Sequence, residues 1–73
     1  MSPKPIDVLI ENYHTFIGEL ELAIDHARTC ITHAENGELA RVGAHGFAAT
    51  GHLIAAEDIN RRIAQDWATH SVP

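Results

Sequence analysis

The sequence predicts an all-α protein: an antiparallel helical hairpin of two long helices that dimerises into a four-helix bundle. Three observations predict it. Apolar residues recur at helical spacing rather than in strand alternation. One strong turn signal, Glu35-Asn36-Gly37-Glu38, divides the chain near its middle. When the chain is folded back at that turn, small residues on the two halves fall opposite one another, with Ala34 facing Ala40, Cys30 facing Ala44, Ala27 near Ala48 and Ala23 facing Gly51.

The first helix is expected over residues 5–35. Lys4 precedes a proline and is pushed out of the helical region, while Pro5 suits the first helical position. Asp7 in the first turn complements the helix dipole. Asn36-Gly37 should stop the helix, because glycine takes the left-handed conformation without steric cost. Three apolar rows recur every seven residues: Ile6, Tyr13, Leu20, Ala27 and Ala34; Leu9, Phe16, Ala23 and Cys30; Ile10, Ile17, Ile24 and Ile31. Together they make a face wider than a two-stranded seam. Asp7, Glu11, Glu21, Asp25 and Arg28 lie opposite.

The second helix is expected over about 38–70, with one stripe reading Leu39, Val42, Gly46, Ala49, Leu53, Ala56, Ile63 and Trp67. Residues 42–56 contain no Asp, Glu, Lys or Arg but include Gly43, Gly46 and Gly51. Each interior glycine costs a helix about 1 kcal/mol relative to alanine, so a loop over 37–47 is the competing reading. The matching small residues on the first helix favour a continuous helix whose glycines permit close approach. Val72-Pro73 ends the segment. No internal repeat stands out.

Seventy-three residues form a single domain at most. Of the 33 hydrophobic positions, eleven are alanine, and so small a core rarely supplies more than about 3–5 kcal/mol. The small-residue seam would leave the isoleucine row and the Leu39–Leu53–Trp67 stripe uncovered. The expected remedy is a homodimer whose interface uses Ile10, Phe16, Ile17, Ile24, Ile31, Leu39, Val42, Leu53, Ile63 and Trp67. The functional expectation is a small non-enzymatic interaction or regulatory module that binds itself and another protein.

Other classes fit poorly. Ten acidic against five basic residues argue against nucleic acid. Arg61-Arg62 is flanked by Glu57, Asp58 and Asp66 at helical pairing distance. No stretch suits a membrane span, and the N-terminus lacks the apolar core of a signal peptide. A cytoplasmic location is therefore expected, with no nucleic acid or membrane partner. No nucleophile has a visible base, and no glycine pattern resembles a phosphate loop.

The six histidines are the compositional oddity. His26, Cys30 and His33 share one helical stripe, and the fold-back brings His45 near Cys30. These four are the candidate ligands if the hairpin holds zinc or another transition metal; otherwise no cofactor is expected. Glu11 and His14 match a Glu-x-x-His unit of di-iron bundles, with Glu57 or Asp58 as further carboxylates, but the periodicity puts Glu11 and His14 on the polar side. Protonating all six histidines would move the formal charge from −5 to +1. A dimer with His26, His33, His45 or His52 at its interface would then loosen below about pH 6.

Overall fold

The computed structural model describes residues 4–70, with side chains described through Ala68. The Val72-Pro73 stop lies outside the described residues. Two helices, α1 (Pro5–Glu35) and α2 (Leu39–His70), pack side by side, and the described residues contain no strand. The resulting rod measures 56 × 22 × 14 Å. It is one helix thick.

The ends of α1 follow from local chemistry. Lys4 is extended (φ −68°, ψ 145°), as its proline requires, and its carbonyl accepts from the amides of Asp7 and Val8 at 3.0 and 3.2 Å. At the other end Gly37 has φ +74°. The Gly37 amide donates to the Ala34 carbonyl at 3.0 Å, and the Glu38 amide donates to the His33 carbonyl at 2.9 Å. That crossed pair is a Schellman motif. The Glu38 carbonyl then accepts from Arg41 and Val42 and opens α2.

Helix α2 is continuous from Leu39, so residues 39–47 are helical rather than a loop. The reason differs from the one expected. A Cβ built on Gly43, Gly46 or Gly51 meets nothing within 4 Å. The glycines therefore provide no close approach within this chain.

The register is shifted two to three residues toward the turn, since His26 reaches His45 and Cys30 Sγ reaches the Val42 carbonyl at 3.4 Å where Ala44 was expected opposite; the antiparallel fold-back alone is as expected. The seam itself is not. Ala27, Ala34, Ala40, Ala44 and Gly51 are exposed, so the four small pairs do not line the contact. Both helices are rotated about their axes. On α1 the seam uses Leu9, Phe16, Ala23 and Cys30 together with a polar row, Asn12, Glu19, His26 and His33; all eight are buried or half-buried. Facing it are Glu38 at the turn and, on α2, His45, His52 and Ile59 beside Val42, Ala49, Ala56 and Ile63. The polar row turns inward because each of Glu19, His26 and His33 finds a hydrogen-bond partner on the facing chain segment. A half-buried polar group so partnered escapes the cost of desolvation without a bond.

Consequently the hydrophobic interior is small. Among the described residues only Ala23, Ala56 and Ile63 are buried apolar residues, at 6%, 1% and 4% exposure. The rotation uses one edge of the apolar face of α1 and leaves the rest outside.

Candidate functional site: a histidine ladder beside an open apolar face

Glu19, His26 and His33 on α1 are spaced by seven, and so are Glu38, His45 and His52 at the turn and on α2. Each helix thus carries the same unit, Glu-x6-His-x6-His. This is an internal repeat that the reading of the apolar rows passes over. Antiparallel packing places the two units in opposite directions, so the partners are related by a local two-fold axis. His52 Nδ1 lies 2.7 Å from Glu19 Oε2, and His33 Nδ1 lies 3.3 Å from Glu38 Oε1. At the centre His26 Nδ1 lies 3.0 Å from His45 Nδ1.

The four rings also stack. His26 and His52 have centroids 5.4 Å apart with planes 15° from parallel, and His33 and His45 are 5.2 Å apart at 22°. The central pair is 5.3 Å apart and tilted by 37°. Along the seam the order is Glu19, His52, His26, His45, His33, Glu38, alternating between the two arms of the helical hairpin. All six side chains are half-buried.

Cys30 stands outside this ladder, directed to the Val42 carbonyl. Of the metal set expected from sequence, His26, His33 and His45 do approach one another. However, among the described residues no three His, Cys, Asp or Glu side chains form a group able to hold a metal ion. Their Nδ1 atoms are engaged in separate pairs, His26 with His45 and His33 with Glu38. Glu11 and His14 are exposed. Glu57 pairs with Arg61 at 2.7 Å and Asp58 with Arg62 at 2.8 Å, as their i, i+4 spacing predicts. Those carboxylates serve a solvated face.

Beside the ladder lies the apolar face. Ile10, Ile17, Ile24 and Ile31 are each about half exposed or more, as are Leu39 and Leu53. A shallow groove lined by Leu20, Ala23, Ile24, Ala27, Ala49 and Leu53 brings Ile24 of the isoleucine row and Leu53 of the second helix to one side of the rod. The other expected interface residues sit differently. Phe16, Val42 and Trp67 are half-buried, and Ile63 is buried in the seam within the chain. Ile63 is therefore a core residue of the hairpin. Phe47, 82% exposed, projects elsewhere on α2 and has no counterpart in the expected interface.

No helix of the described residues is long and apolar enough to cross a membrane. No family model matches the chain, and neither does any curated protein or solved structure.

Proposed function

We propose that this chain is a cytoplasmic, non-enzymatic protein–protein interaction module that works as a homodimeric helical hairpin. Two copies join through the broad apolar side to form a four-helix bundle, and the bundle binds or regulates another protein. The observation that carries this reading is the exposed isoleucine row, whose Ile24 lies on the same side as Leu53. Contiguous apolar area of this kind marks interfaces on folded proteins.

A second copy is the fitting occupant for three reasons. The 56 × 22 Å side of the rod exceeds the roughly 800 Å² per partner of a standard interface. The apolar rows that α1 contributes carry no charge, and the row that flanks the isoleucines at i−3 and i+4 mixes Asp7, Glu21 and Glu35 with Arg28. In a two-fold contact centred on the isoleucines those charges stand at the rim, where water still reaches them. Lastly, three small or medium buried side chains are little core for a domain, and a two-fold partner supplies the missing layer.

Sedimentation equilibrium of the untagged chain at micromolar concentrations tests the proposal. The expected species is a dimer. A folded, monodisperse monomer across the accessible concentration range overturns it.

A further inference from the structure

The Glu-His-His units are more than a polar seam. We propose that they form a proton-operated catch on the hairpin, closed while His26 and His45 share one proton and opened when both rings are protonated. His26 Nδ1 and His45 Nδ1 are 3.0 Å apart. One nitrogen must donate and the other accept, so in the neutral pair one ring is the Nδ1–H tautomer and the other the Nε2–H tautomer. One added proton preserves the bond, as an imidazolium donating to an imidazole. Two added protons leave donor facing donor and charge facing charge. The contact then opens.

The ends of the ladder behave differently. A proton on His52 faces the Glu19 carboxylate at 2.7 Å, and one on His33 faces the Glu38 carboxylate at 3.3 Å. Arg41 Nε also lies 3.3 Å from Glu38 and shares that carboxylate. Cys30, the other titratable group in this part of the seam, is directed to the Val42 carbonyl. Two protons at the ends are thus separated by two neutral rings. A further proton on His26 or His45 puts charged rings side by side at 5.4 or 5.2 Å.

The sign follows from this count. Separated helices can protonate all four rings freely, whereas the closed ladder resists the last ones. At the central pair the open state binds more protons, so that contact weakens as pH falls. The His52–Glu19 and His33–Glu38 pairs gain from protonation and pull the other way. Ala23 and Ala49 lie on both the seam and the apolar groove, so opening the seam disturbs the dimer face; this second consequence rests on the proposed dimer.

The test is denaturant unfolding at about pH 7.5 and about pH 5, in chelator, for wild type and for His26→Leu/His45→Leu. Between the two conditions the wild-type folding constant should fall about tenfold more than that of the variant. Equal pH dependence in the two proteins overturns the proposal. Nitrogen-15 spectra of the wild-type histidine rings at neutral pH give a readout that does not depend on the variant folding. One central ring should be protonated at Nδ1 and the other at Nε2; the same tautomer on both overturns the catch. Sedimentation of the same wild-type samples separates the two proposals. A monomer that keeps the ladder-specific pH effect removes the dimer and leaves the catch, whereas a dimer without that effect does the reverse.

Discussion

Gly37 is the residue on which the hairpin turns. Its φ of +74° lies where an L side chain is strained, yet a Cβ there would meet no atom within 4 Å. The cost of Gly37→Ala is therefore conformational, about 1–2 kcal/mol for a left-handed residue. The substitution should lower the unfolding free energy by that amount, read as a lower urea midpoint with an unchanged slope. A neutral result would mean that the turn does not use the left-handed conformation. The Schellman motif here also has an unusual side-chain contact. Its usual apolar pair across the turn is replaced by His33 and Glu38, which close one end of the ladder. Turn and ladder are thus built from the same two residues.

Each helix packs through a narrow seam, so buried side chains differ sharply in consequence from their neighbours one row away. Ile63 is 4% exposed and Ile54 is 62% exposed. Truncating the first should cost about 2–4 kcal/mol, within the range for buried isoleucine to alanine. Ile54→Ala should stay within about 0.5 kcal/mol, as surface substitutions do. Chemical denaturation of the two variants side by side checks the rotation of α2, because a seam through Ile54 would reverse their order. The bounds of both helices were legible from Pro5, Asn36-Gly37 and the seven-residue rows, since those features act locally. Rotation was not legible in the apolar rows. Periodicity shows which residues share a face, but three apolar rows on α1 allow several edges to meet α2. The choice depends on partners across the seam, where Glu19, His26 and His33 meet His52, His45 and Glu38. The repeated Glu-x6-His-x6-His spacing was the available sign of it, and a search for apolar positions alone misses it.

At the scale of the whole molecule, folding and association are one problem. A rod whose described interior holds Ala23, Ala56 and Ile63 removes little apolar surface from water, while Ile17, Ile24, Leu39 and Leu53 remain outside. If a second copy covers them, unfolding releases two chains, and thermal stability must depend on concentration. The melting temperature should rise steadily as the chain is concentrated, whereas an independent monomer melts at one temperature throughout. Ile24→Asp sharpens the test. Ile24 is 49% exposed and lines the groove with Leu20 and Leu53, outside the histidine ladder. Aspartate there can stay hydrated in a monomer but must be desolvated near its two-fold mate in a dimer, which is costly for an unpaired charge. The variant should lose both the dimer in sedimentation and the concentration dependence of melting, and should unfold or aggregate more readily than wild type. If it stays dimeric with unchanged melting, the isoleucine row is not where the copies meet.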